Sequence, residues 1–260
     1  MILAFDTTNE FGGAGLYQDT RCLGEFPTPA PRDTSERASY SVTLFEMVEK
    51  LLGANHASLS DVELFAVANG PGTFTGIRVG IAAAQGWAQA FGRPVLGVSN
   101  LEAMVEAARP ETQFAAALLD ARRGEFYLGV FERVGALDGN RLKLRGEGMV
   151  LRPENLPGHF RELLGPSARL TCVVRNYDQA AQDVRPSIPE GFEWRRVMGT
   201  LVPAVARVAL KASRRAELQS PAELDACYIR RTDAAAQIRR ERSHPLLVRA
   251  AAYVADECQS

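Results

Sequence analysis

Two short apolar stretches that each end in an aspartate constrain this chain more than any other feature. The first is ILAFD at 2–6 and the second is AALLD at 116–120. Each reads as a strand buried on both faces. Each is followed by a polar turn and a glycine-containing strand that returns. Set side by side without a gap, residues 2–17 and 116–131 place Asp6 on Asp120, Gly15 on Gly129, Leu16 on Val130 and Tyr17 on Phe131. Between the two copies, the strand-like VELFAVAN, a glycine loop, a helix over 75–91, the strand RPVLGV and the capped helix SNLEAMVEAA alternate, which is the pattern of an α/β fold. The expectation is two duplicated lobes, each a mixed sheet with flanking helices. The first spans 1–110, the second 111–232 after a joint at ARPETQ, and 233–260 is a tail that packs on the first lobe. Chance similarity of two hairpins is the competing explanation.

A chain of 260 residues is long enough for two lobes. With 46% hydrophobic and 23% charged residues it has an ordinary globular balance. A net charge of -1 argues against a self-sufficient nucleic-acid binder. No apolar run approaches the roughly 20 residues of a membrane helix. The opening strand has no basic stretch before it, so no secretory leader is expected. Cys22, Cys172, Cys227 and Cys258 are far apart and form no CxxC or Cys/His cluster. These features suit a reduced, cytoplasmic protein without a metal site or a membrane partner.

The segment GPGTFTGIRVG, from Gly70 to Gly80, opens the helix over 75–91. Such a loop can cradle a phosphate at a helix N-terminus, or it can be the entry to a closely packed helix. The helix carries only Arg78, Gln85 and Gln89 as strongly polar residues, within roughly 40° of one another at about 100° per residue. A helix that covers only its own lobe shows a broader polar face. This one is either buried nearly all round or packs on a partner as well as on its sheet. An earlier helix, over 34–52, has a capping pair in Asp33 and Glu36, a C-cap candidate in Gly53 and an apolar stripe of Tyr40, Leu44, Val48, Leu51 and Leu52.

An aspartate after the first strand of each lobe suggests a nucleotide cleft. There Asp6 and Asp120 orient a metal or water, Thr7 and Thr8 meet phosphate oxygens, and Gly70, Gly72 and Thr73 offer backbone amides. Turn-capping aspartates are the alternative. The second turn, ARRGE, puts Arg122 and Arg123 where a phosphate loop needs glycine and hydroxyl groups. The cleft therefore reads as degenerate. No P-loop, HExxH or GxSxG motif is present, and His56, His159 and His244 are scattered.

ILAFDTT, GPGTFTGIRVGIAAAQGWA, PVLGVSNLEAM, LLDARRGEFYLGVF and CYIRR occur in this order, and together they resemble the TsaB (YeaZ) family over roughly residues 1–232. The resemblance implies an actin-like (ASKHA, RNase H-like) fold. It implies a non-catalytic subunit of the bacterial machinery that transfers threonylcarbamoyl from threonylcarbamoyl-AMP to N6 of adenosine 37 in ANN-decoding tRNA. In that machinery the paralogue TsaD does the chemistry, and ATP and metal belong to partner subunits. TsaD's metal histidines fall on Asn100 and Met104 here, and neither replaces an imidazole. The implied partners are TsaD as a heterodimer, TsaE, and tRNA indirectly, with a homodimer through the same helices as a further association. The implied docking residues are Tyr40, Leu44, Met47 and Leu51 on the first helix and Ile77, Ile81, Ala84, Trp87 and Ala88 on the second. Relatives carry HSE where this chain reads Tyr40-Ser41-Val42. The rival function is an independent actin-like ATPase or a peptidase.

Overall fold

The computed structural model describes residues 1–27, 40–134, 141–165, 168–175, 178–184 and 192–229. Asp33, Glu36 and the tail over 233–260 lie outside them. Met1–Cys227 forms one compact unit that holds two sheets. The first is built from β1 (Ile2–Asp6), β2 (Gly13–Gln18), β3 (Arg21–Pro27), β4 (Leu64–Gly70) and β5 (Val95–Ser99), with α1 (Tyr40–Ala54) before β4 and α2 (Phe74–Phe91) after it. After α3 (Asn100–Ala108) come β6 (Phe114–Asp120), β7 (Phe126–Val134), β8 (Arg141–Leu144), β9 (Met149–Leu151), α4 (Leu156–Leu164), β10 (Leu170–Arg175), α5 (Gln179–Asp183), β11 (Glu193–Val197) and α6 (Val202–Arg214).

The strand orders are β3-β2-β1-β4-β5 and β11-β10-β6-β7-β8, with β9 on β7. In each sheet a central strand pairs antiparallel with the next strand in sequence and parallel with a later one, which pairs parallel with the edge strand. The two halves thus repeat one topology. The ungapped alignment slips within it, however. Asp6 pairs with Gly13, whereas Asp120 pairs with Phe126, so the second turn is one residue shorter. Gly15 opposes Ala4 while Gly129 opposes Ala117, and the Asp6/Asp120 and Gly15/Gly129 equivalences cannot both hold.

α1 and α2 cover one face of the first sheet, where Leu44, Met47, Val48, Leu51, Ala84 and Ala88 meet Leu3, Phe5, Leu16, Phe65 and Val67. The opposite face is covered by a helix from the far end of the chain, since α6 packs on β1, β2, β4 and β5. α3 packs on β6, β7, β10 and β11 and against α6. On the outer face of the second sheet, Leu156 and Phe160 of α4 and Ala181 of α5 pack on Phe126, Leu128 and Cys172. α1 runs through Gly53, which is not its C-cap, while α2 ends at Gly92 with φ 61°. Among the described residues, no helix is long and apolar enough to cross a membrane.

The α3–α6 contact has a polar centre. The Glu106 side chain is 7% exposed and accepts from Arg207 Nε at 3.2 Å and Lys211 Nζ at 2.7 Å. Such a carboxylate is tolerated because both partners are in place. Glu102, one helical turn earlier, is pushed up to about 7 by burial and then by the Glu106 charge.

The start of α2 lies directly on the turn after β1. A Cβ at Gly76 would run into the Thr7 carbonyl oxygen, and one at Gly72 would stand 2.6 Å from Thr8 Cβ. The glycines of GPGTFTG are therefore required by backbone approach. Gly86 on the same helix faces open space.

Urea denaturation should show Gly76→Ala destabilised by about 3 kcal/mol, as for other overpacked sites. Gly86→Ala should be stabilised by about 1 kcal/mol from helix propensity. Equal effects at the two positions would contradict the close approach. For Glu102, the folded pKa of about 7 lies above the ordinary 4.5, so the group's contribution is fully present below pH 4.5 and is lost as pH rises through 7. Glu102→Gln should gain on the parent chain over that window, by at most about 3 kcal/mol. A constant difference from pH 4 to pH 8 would contradict it.

Candidate functional site

Asp6, Thr7 and Thr8 are 1%, 0% and 0% exposed. Asp6 Oδ1 accepts from the Thr8 amide at 2.8 Å and from Thr8 Oγ1 at 2.6 Å. Thr7 Oγ1 donates to the Gly76 carbonyl at 2.7 Å. The Thr73 amide donates to the Thr8 carbonyl at 2.7 Å. Asn100, also buried, donates to Thr8 Oγ1 at 2.6 Å and to the Pro71 carbonyl at 2.8 Å. The turn after β1, the loop before α2 and the first residue of α3 thus form one hydrogen-bonded knot. Both threonine hydroxyls are engaged inside it. The Thr73 amide, expected to be open to an anion, is spent on Thr8, because the glycine loop lies on the turn instead of standing away from it. Burial raises the pKa of Asp6 against the lowering effect of its bonds to Thr8 and of the Arg175 charge.

Asn100 was noted in the sequence only for what it replaces; its bonding was not legible there. Met104, one helical turn on, is fully buried. Neither position fits an imidazole-held metal. Among the described residues, no group of three or more His, Cys, Asp or Glu side chains is placed to hold a metal ion.

Asp120 and Arg122 sit apart from this knot, at the tip of the second hairpin. Asp120 Oδ1 accepts from the Arg122 amide at 2.7 Å, as a turn-capping aspartate does. Its own amide donates to Asp178 Oδ2 at 2.7 Å. Asp178 Oδ1 accepts from the Ala181 amide in α5. Arg122 and Arg123 hold φ values of 65° and 58°, and the Arg122 side chain is 83% exposed. The Asp120 hydrogen bonds tie this second turn to its own hairpin and to the residue just before α5.

The expected docking residues divide by burial. Leu44, Met47, Leu51, Ile77, Ala84 and Ala88 are buried beneath α1 and α2. Their side chains pack within the chain itself. A helical stripe in sequence does not say which surface it meets. Tyr40, Ile81 and Trp87 are half-buried. Tyr40 ties α1 to the β1–β2 turn by donating to the Asn9 carbonyl. Trp87 sits between Phe5 at 5.6 Å, Phe65 at 6.0 Å and Phe45 at 5.4 Å. The outward side of α1 carries Val42, 58% exposed, and Phe45, 50% exposed, along with Ser41, Glu46, Glu49 and Lys50, and that of α2 carries the small residues Ala82, Gly86 and Ala90. The polar stripe of α2 also splits. Arg78 lies 3.8 Å above the Phe74 ring, Gln89 is exposed, and Gln85 turns inward to the Pro221 and Leu224 carbonyls.

Comparison with known proteins agrees with this architecture. Residues 30–143 match the family model described as TsaD, tRNA N6-adenosine threonylcarbamoyltransferase. The chain is 35% identical over 169 residues to the Escherichia coli tRNA threonylcarbamoyladenosine biosynthesis protein TsaB, covering 63% of this chain and 68% of that protein. It is 31% identical over 131 residues to the Bacillus subtilis protein of the same name, covering 50% and 55%. The solved structure of YeaZ from Pseudomonas aeruginosa superposes with a TM-score of 0.68 at 26% identity, over 87% of this chain and 98% of that one. Its duplicated mixed sheets, its closely packed glycine loop and these matches together mean that the chain belongs to the TsaB (YeaZ) family of tRNA threonylcarbamoyladenosine biosynthesis proteins, with an actin-like fold.

Proposed function

We propose that this chain is the non-catalytic subunit that binds and supports TsaD while TsaD transfers threonylcarbamoyl to N6 of adenosine 37. The observation that carries the proposal is the outward face of α1 and α2. Val42 and Phe45 stand exposed beside the small residues Ala82, Gly86 and Ala90. Small residues let another helix approach closely, and exposed large apolar side chains such as Val42 and Phe45 suit an interaction site. The matched TsaD family model spans residues 30–143, which includes both helices. TsaD thus has an equivalent pair, and the two subunits can meet as a quasi-symmetric helix bundle. TsaE joins at their junction, and tRNA is met through the assembled complex.

A supporting role also suits the knot around Thr8. Its hydroxyls and the Thr73 amide, which would meet a phosphate in an active actin-like cleft, already bond one another's segments. Asn100 and Met104 occupy the positions of the paralogue's metal histidines. Catalysis then rests with TsaD, and ATP is used elsewhere in the complex.

Val42→Asp and Gly86→Glu place a charge on the exposed face without entering the core. Each should abolish co-purification with TsaD and stop tRNA modification in a reconstituted system, while the isolated chain melts no lower than the parent. Undiminished complex yield would sink the proposal, and a homodimer that persists in both variants would assign this face to neither association. Calorimetry should detect no ATP binding tighter than millimolar, about -4 kcal/mol. Micromolar binding would return the chain to the class of actin-like ATPases.

A further inference from the structure

Residues 218–227 leave α6 and run back over the first sheet and α2. Gln219 makes a two-way backbone pair with Val95, at 2.9 and 3.0 Å, and its side-chain oxygen accepts from the Gly97 amide at 2.9 Å. Leu224, 4% exposed, enters the core of the first sheet. Asn69 Nδ2 donates to the Asp225 carbonyl at 3.0 Å, and the Cys227 amide donates to the Asn69 carbonyl at 2.8 Å. The Gln85 side-chain amide donates to the Pro221 and Leu224 carbonyls, both at 3.0 Å.

These last two bonds matter because of what the rest of α2 lacks. Its buried face carries Ile77 near the start and the small residues Gly76, Gly80, Ala83, Ala84 and Ala88, with Trp87 packing on Phe5 and Phe65 toward the end. Helices keep their register on a neighbour by fitting protruding side chains into grooves. The strip of glycine and alanine between Ile77 and Trp87 protrudes little, so it permits close approach and adds little resistance to sliding or rotation. Two directional hydrogen bonds from one planar amide, one to each end of a turn in the strap, fix the setting that the small residues leave open.

We propose that the strap over 218–227, acting through Gln85, sets the rotation of α2 and so the presentation of Ala82, Gly86 and Ala90 to the partner. Gln85 is then a positioning residue of the docking face. This rests on the TsaD-docking reading above, and it adds that a segment following the second lobe controls a surface on the first.

Gln85→Glu keeps the size of the side chain, removes both donors and sets a carboxylate against two carbonyls. It should weaken TsaD binding about tenfold, within the range usual for coupled sites, and speed amide hydrogen exchange at Gln219 and Cys227. Gln85→Lys retains a donor and should bind within about twofold of the parent. Gln219→Ala releases the strap at a point away from α2 and should weaken binding several-fold, which gives a second route should Gln85→Glu fail to fold. Leu170→Ala, in the core of the second sheet, is the control for lost stability and should bind normally. Faster strap exchange with unchanged affinity in Gln85→Glu and Gln219→Ala would overturn the proposal, as would an equal loss in Leu170→Ala. Normal binding by Val42→Asp and Gly86→Glu would instead refute the docking face itself.

Discussion

The seating of the start of α2 on the turn after β1 is the contact on which the rest of the structure depends. Gly72 and Gly76 let backbone reach backbone, Thr7 and Thr8 supply the hydrogen bonds, and Asn100 draws in the start of α3. Three segments far apart in sequence are pinned around one threonine hydroxyl. Buried polar networks of this kind are worth having only when their members are paired. The same pairing engages both threonine hydroxyls and the Thr73 amide, while Asp6 Oδ2 and Asn100 Oδ1 stay buried without a hydrogen-bond partner among the described residues. Close packing of α2 and the engagement of these groups are one event, and Gly72 and Gly76 permit both.

Once α2 is seated this way, its two faces have separate tasks. The inner face carries small residues onto β4, and Trp87 fills the gap toward Phe5 and Phe65. The outer face keeps Ala82, Gly86 and Ala90, with Phe45 of α1 bridging to Trp87. An exposed phenylalanine edge-on to a half-buried tryptophan connects core and surface. Replacements there alter both, whereas replacements at Val42 or Gly86 reach only the surface.

Much of the fold was legible in the sequence because it rests on strong periodic signals. Strands ending at Asp6 and Asp120, the alternation through residue 108 and the unusual apolarity of α2 all correspond to observed elements. The duplication shows as repeated topology, though a turn one residue shorter breaks the Gly15/Gly129 equivalence. What the sequence hid was direction. The stripe of Leu44, Met47 and Leu51 has helical spacing whether it faces the sheet or a partner. Gln85 shares an arc with Arg78 and Gln89, and only the strap, more than 130 residues later, turns it inward. Asn100 gave no signal of its own as a hydrogen-bonding centre, because an asparagine after a strand ordinarily reads as a helix start.

The second lobe shows why a half with a shortened, arginine-bearing turn is retained at all. Its α6 buries the face of the first sheet that α1 and α2 leave open, and Arg207 and Lys211 on that helix neutralise the buried Glu106 of α3. The chain then returns as the strap over β5 and α2. Exposing that face would cost the burial of the central strands β1 and β4, at about 25 cal/mol for each Å² of apolar surface returned to water. The first lobe therefore cannot present its helices without the second, whether or not the second binds anything. The structural debt runs the other way too, since α3 of the first half covers the strands of the second. The two sheets are held together by helices exchanged between the halves, α6 on the first sheet and α3 on the second.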